Sequence, residues 1–365
     1  MHKHGEKAAA VCKPFVKSAI YVFNSVYIWY NINSTYNKGG AAVLLGNKLG
    51  ADDAGRVRRT NIGGQAIIEG VMMRGKKMYS IAVRTPEGSI CVEDKDVDNI
   101  FSRNGIFKFP VFRGIAAFIE SMVMGVKIIM RSAKLAGLDD ETEEDGEPSK
   151  FEKFLEDKFG DKLADYLIYF SVAVSLLFSI VLFFMLPVFV GGLFKNSLPG
   201  TWALGIIEGL VRIAIFLGYI FAISKMKEIQ RVFQYHGAEH KTINCFEHGE
   251  ELTVENVRKH TRLHKRCGTS FLLIVMIISM FVFFFVRTDN FALRLLSRIV
   301  LVPFIAGISY EVIQWAGRSE NRLVALVSKP GFMLQNITTA EPDDGQMECA
   351  IAAMKSVLEA EGENG

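Results

Sequence analysis

From Leu167 to Phe194 the chain runs for twenty-eight residues without one charged side chain. A helix rises about 1.5 Å per residue, so such a run is long enough to cross a hydrocarbon layer of about 30 Å. In hydrocarbon every backbone amide must be bonded within the chain, which leaves helices or a closed barrel. The run shows no strict alternation of polar and apolar residues, and a helix is the reading it supports. Three further stretches complete a set of four spans, at 167–194, 201–223, 269–286 and 298–316. The second carries Glu208 and Arg212 one turn apart, where each neutralises the other; charges at that depth are also functional candidates by default. The fourth holds Pro303 and Glu311.

Loop charge sets the orientation. The segment from Ser224 to Gly268 carries nine Lys and Arg, while the connections Lys195–Gly200 and Arg287–Ser297 carry three together. Basic loops stay in the cytoplasm, so both termini are expected there too. Half the residues are hydrophobic, and the net charge is only +3, which gives no basis for nucleic-acid binding. Five scattered cysteines do not form a disulfide framework.

Five of the seven histidines fall between His236 and His264. Tyr235-His236-Gly237-Ala238-Glu239-His240 contains H-x-x-E-H, the inverted zincin order. On a helix, His236 and His240 share a face one turn apart, with Glu239 beside them. Two imidazoles at that spacing hold one zinc ion, and the carboxylate reaches a water at the ion as general base. Downstream, His260, His264 and Cys267 recur at helical spacing. Packing the two segments together gives His236, His240, His264 and Cys267 as a metal set, with Glu239 catalytic. Four protein ligands make a closed structural site, and three plus water an open one. His260, Glu69, Arg74, Asp343 and Asp344 are secondary candidates. Glu69 and Arg74 also fit a surface ion pair, and the two aspartates also fit a helix start.

Around this centre the chain divides as follows. Residues 1–60 are an extension that suits an interfacial anchor, and 61–112 form a small β unit. Within that unit Tyr79, Ile81, Val83 and Thr85 alternate with smaller or polar residues, and Pro86-Glu87-Gly88 turns the chain. An amphipathic interfacial helix at 113–138 presents Ile115, Phe118, Ile119, Met122, Val126 and Ile129 on one face. Residues 139–150 are an acidic linker. The loop 224–268 is helical and His-rich. The tail 317–365 has a turn at Lys329-Pro330-Gly331 and a helix over 345–360. The expected fold class is mainly α: a polytopic four-helix membrane protein with a small N-terminal β-hairpin unit and a helical His-rich cytosolic loop.

Four stretches in order, Gly63 to Gly75, Tyr235 to Thr242, Arg266 to Ser270 and Thr338 to Asp344, resemble the bacterial YqhQ-like family. That family is a domain of unknown function often labelled a predicted metal-dependent enzyme. The resemblance implies a polytopic membrane protein and supplies no substrate. Two functions fit the residues. One is a zinc-dependent hydrolase taking a protein or lipid-linked substrate at the cytoplasmic membrane face. The other is a non-enzymatic factor for assembly, insertion or transport, with a structural zinc or no metal. The lipid bilayer is a partner in both.

Overall fold

The computed structural model describes residues 60, 62–97, 109–137, 173–175, 177–197, 200–264, 267–286, 288, 290–318 and 322–362. The expected interfacial anchor in 1–60, apart from Thr60, lies outside them, as do the acidic linker and the first residues of the 167–194 run.

Strands β1 (Gly63–Ile67), β2 (Gly70–Arg74), β3 (Met78–Arg84) and β4 (Ile90–Asp96) form one antiparallel meander in the order β1-β2-β3-β4. The β3–β4 hairpin is the one that the alternation and the Pro-Glu-Gly turn predict. A second tight hairpin precedes it, with Ile67 opposite Gly70 and only Ile68 and Glu69 between. Glu69 there adopts φ 52°, a left-handed conformation.

Both faces of the sheet are covered. Ala66, Val71, Met73 and Ala82 pack into one core with helix α4 (Lys227–Glu247) and helix α9 (Asp344–Glu361). Ile67, Met72, Ile81 and Val83 pack on the other face against Ile128 of helix α1 (Phe112–Leu135). Each of the buried Val, Ile and Met side chains contributes about 1.5–3 kcal/mol by leaving water. The small β unit is therefore a middle layer, held between helices from distant parts of the chain.

The apolar face of helix α1 is divided: Ile129 is buried, while Ile119 and Val126 point outward. Most of the other inward residues are small, among them Gly114, Ala116, Ala117, Ser121 and Gly125. Small residues let α1 lie close along α7 (Phe291–Arg318), where Gly114 meets Gly307 and Arg113 pairs with Glu311.

Among the described residues, three helical stretches are long and apolar enough to span a membrane: Ala173–Leu193, Trp202–Ile223 and Ala292–Val312. The first includes a π-helical turn and the short helix α2 (Leu186–Leu193); the second forms most of α3 (Thr201–Ile223). The apolar part of α6 (Gly268–Phe285) is the shorter stretch Leu272–Phe285. These helices are turned inside out relative to a soluble protein. Leu210, Phe221, Phe281, Leu293, Leu296 and Val300 are exposed, whereas Glu208, Arg212, Arg294 and Arg298 are buried. Apolar surface outside and charge inside is the arrangement that hydrocarbon favours. Glu208 does not depend on Arg212 for its neutralisation. Its oxygens meet Arg294 and Arg298 of α7, because packing against another helix offers a better fork than the next turn of its own.

Ser224–Met226 separates α3 from α4. One other expectation is corrected: Lys329-Pro330-Gly331 makes no turn, because helix α8 (Arg322–Thr338) passes through Pro330. Helix α5 (Val254–Lys259), with Thr253 capping it, completes the His-rich segment.

Helix α4 comes so close to the segment after α8 that a Cβ on Gly237 would lie 2.1 Å from the Ala340 carbonyl oxygen. A Cβ on Gly218 would meet nothing. Gly237→Ala is expected to cost about 1–3 kcal/mol by overpacking. Its unfolding midpoint in detergent should fall by several degrees, while Gly218→Ala should not lower it.

Candidate metal centre

His236, Glu239 and His240 stand on the buried face of α4, and Cys267 stands at the cap of α6. The two imidazoles are aimed by backbone carbonyls. His236 Nδ1 lies 2.8 Å from the Thr338 oxygen, and His240 Nδ1 lies 2.6 Å from the Arg262 oxygen. A carbonyl oxygen only accepts, so both Nδ1 atoms carry the hydrogen and donate it. In neutral rings both Nε2 atoms then present lone pairs. Those two atoms face each other at 3.1 Å, and the Cys267 Sγ lies 3.4 Å from His236 Nε2. The three ligand atoms are all within 4.8 Å of one another.

Protonation does not resolve this convergence. Burial pushes His236 down to about 4, and the neighbouring His264 pushes it further the same way. His240 is driven well below the usual histidine range by burial and then by His236 and His264. A cation placed among the three atoms would resolve it. Tetrahedral zinc, with Zn–N about 2.0–2.1 Å and Zn–S about 2.3 Å, places its nitrogens about 3.3 Å apart and nitrogen and sulfur about 3.6 Å apart. The donor set fits a zinc-type ion on both distances. Cys267 also accepts from the Thr269 amide at the start of α6, where a helix favours a thiolate.

Glu239 lies against this group, with its Oε2 3.5 Å from His240 Nε2. Room for it is made by the sheet. A Cβ on Gly64 of β1 would stand 2.5 Å from the Glu239 Cγ.

His264 comes near without joining the three. Its ring is 5.6 Å from that of His240, and its Nε2 lies 3.7 Å from Glu247 Oε2. Gln335 fixes its backbone, accepting from the His264 amide and donating to its carbonyl, each at 2.9 Å. Gln335 carries no sequence signal for this place, since only the fold brings α8 to His264. The other candidates fall elsewhere. His260 belongs to a second group with Cys245 and Glu250, where burial pushes the Cys245 thiol up to about 12. Glu69 pairs with Arg231 of α4 and accepts from the Tyr235 hydroxyl at 3.3 Å. Arg74 is buried beside Met124 of α1. Asp343 is the N-cap of α9 in a capping box with Gln346, and Asp344 pairs with Arg258.

Residues 109–360 match the family DUF1385, described as "Protein of unknown function". The chain belongs to that family. The Bacillus subtilis (strain 168) protein YqhQ, described as uncharacterized, is 40% identical over 301 residues, which cover 82% of this chain and 92% of the relative. No solved structure matches. His236, Glu239, His240 and Cys267 all lie inside the family match.

Acid should destabilise the metal-stripped protein in a defined window. The unfolded chain takes up protons on these histidines below about pH 6.5, while the folded His236 stays neutral until about 4. Stability is therefore present above pH 6.5 and is lost as pH falls toward 4, by about 3 kcal/mol for His236 alone. Denaturant titrations of chelator-treated protein between pH 7 and pH 4 should show a shallower loss for His236→Gln than for wild type.

Proposed function

We propose that this protein is a membrane-embedded, zinc-type metal-dependent hydrolase acting at the cytoplasmic membrane face. His236, His240 and Cys267 hold the ion and Glu239 is the general base. The observation that carries the reading is the convergence of two imidazole lone pairs and a thiol, with a carboxylate oxygen 3.5 Å from one of those nitrogens. Three protein ligands leave a fourth position, as in open catalytic sites. A bound ion of this type supplies Lewis acidity and lowers the pKa of water at that position.

The chain's own residues supply the rest. The carbonyls of Thr338 and Arg262 hold each imidazole in the tautomer that offers Nε2. Glu239, kept in place by the space over Gly64, takes a proton on Oε2 and delivers it to a leaving group. Apolar helix faces put this centre beside a bilayer, so a protein or lipid-linked substrate enters from the membrane side. The basic loops around the site support a cytoplasmic location.

Burial favours one other reading. Glu239, His240 and Cys267 are at most 1% exposed. A closed metal centre pinning α4 to the cap of α6, in a factor for membrane assembly or transport, accounts for that directly.

Purified wild-type protein is expected to contain about one zinc per chain, and His236→Ala with His240→Ala to contain none. Absence of stoichiometric metal in the wild type removes the proposal. Glu239→Gln should keep its metal and its fold and lower the catalysed rate by about 10²–10⁴-fold, so that cells carrying it resemble a deletion. Full complementation by Glu239→Gln, with failure of the double histidine variant, selects the closed structural centre instead. Cobalt substitution gives a separate reading: an open site changes its absorption spectrum on adding a hydroxamate, and a closed one does not.

A further inference from the structure

A second polar group lies at the other end of the apolar helices. Glu208 of α3 accepts from Arg294 at 3.0 Å and from Arg298 at 2.6 Å. Arg212, one turn along α3, donates to the Phe183 carbonyl at 3.0 Å and to the Ser279 hydroxyl at 3.4 Å. The guanidinium carbons of Arg298 and Arg212 lie 4.1 Å and 4.9 Å from the centre of the Phe283 ring. All four charged residues are between 2% and 6% exposed. Cys267 caps α6 and Phe283 is near its far end, so about 24 Å of helix separates this group from the metal centre.

The charge does not close. Three guanidinium groups against one carboxylate leave a surplus of two positive charges among these residues. Arginine keeps its proton in proteins, so the surplus cannot be titrated away. Carbonyl, hydroxyl and ring contacts soften it without cancelling it. Each of the three arginines also keeps a buried N–H without a partner: Arg212 Nη2, Arg294 Nε and Arg298 Nε. Uncompensated charge between apolar helices is strongly unfavourable, and it is retained where something else completes it.

We propose that Arg212, Arg294 and Arg298 form a binding site for a phosphate-bearing anion, with Glu208 spacing and orienting two of the three forks. The planar fork of arginine matches phosphate oxygens two at a time. A phosphomonoester or pyrophosphate carries the two negative charges that the group lacks. Both a phospholipid headgroup and a soluble phosphate present this chemistry. The site stands independently of the metal reading, because none of its residues touches the His/Cys centre.

The test uses the full chain, purified and delipidated in a neutral maltoside detergent. Total phosphorus is measured first. Thermal unfolding is then followed with short-chain phosphatidic acid or with inorganic pyrophosphate. A saturable rise in the wild-type midpoint is expected with at least one of them. A rise with phosphatidic acid alone assigns a lipid headgroup, and a rise with pyrophosphate alone assigns a soluble anion. Arg212→Met should abolish the rise while leaving the anion-free midpoint within a few degrees of wild type, since it removes surplus charge. Glu208→Gln enlarges the surplus to three and should shift half-saturation to lower concentration. Wild-type protein that holds no phosphorus and responds to neither probe overturns the proposal, as does an undiminished response in a folded Arg212→Met. Should that variant not fold, the phosphorus content and the response of the wild type decide the matter.

Discussion

Two imidazole nitrogens face each other at 3.1 Å because each ring has already given its only hydrogen to the backbone. The carbonyls that take those hydrogens come from separate places, Thr338 at the end of α8 and Arg262 in the loop beyond α5. The two places are themselves tied together, since the Arg262 guanidinium donates to the carbonyl of Thr339. Thr339 in turn follows the residue that holds His236. A closed circuit therefore runs from His240 through Arg262 and Thr339 to His236. Ala340, donating to the Phe233 carbonyl of α4, seals it. Loosening any member lets a ring rotate and moves a lone pair off the common point. The close approach at Gly237 follows from the same circuit.

The apolar helices obey a different constraint. In water a helix hides its Phe and Leu and shows its charges; here Phe281 and Leu293 are outside and Arg298 is inside. Hydrocarbon makes such a helix stable only if its charges find partners within the bundle. At the end of α6 where Cys267 stands, polar groups meet donors and acceptors from two loops. At the Phe283 end three guanidinium groups meet a single carboxylate, with two carbonyls and a hydroxyl beside it. The two ends thus differ in kind: one gathers electron-pair donors, the other guanidinium groups. Helix α6 carries both ends on a single rigid element.

What could be read from the sequence follows from how local each signal is. H-x-x-E-H is a statement about one helix face, and α4 delivers it. The β3–β4 hairpin is equally local, set by alternation and a Pro-Glu-Gly turn. Grouping Cys267 with the histidines needs only that two neighbouring segments fold back on each other. The carbonyls of Thr338 and Arg262 leave no mark, because every residue has a carbonyl and only the fold chooses which one a ring meets. His264 shows the same limit in reverse. Its spacing suits a ligand, yet its ring nitrogen turns toward Glu247, which a helical wheel does not reveal. Glu208 was read with the arginine one turn away, whereas its fork comes from α7, eighty-six and ninety residues downstream. On α1 small residues make the close contact with α7, while Ile119 and Val126 of the apolar face point outward.

Glycine in β1 shows how the sheet enters the chemistry. Ala66 and Gly64 share the face that meets α4, and Gly64 lies opposite Met73 across the β1–β2 pair. Any side chain at position 64 would occupy the volume of the Glu239 side chain, whose Cγ stands 2.5 Å from where a Cβ would be. The carboxylate would then have to leave its position beside His240 or the strand would have to shift. Glu69, at the tip of the same hairpin, grips Arg231 one turn and a half before His236 on α4. The strand pair is thus fixed to α4 at two points, one by an ion pair and one by the absence of a side chain. A glycine-rich strand with no phosphate-binding pattern acquires its meaning from that contact: it is the surface against which the carboxylate is aimed.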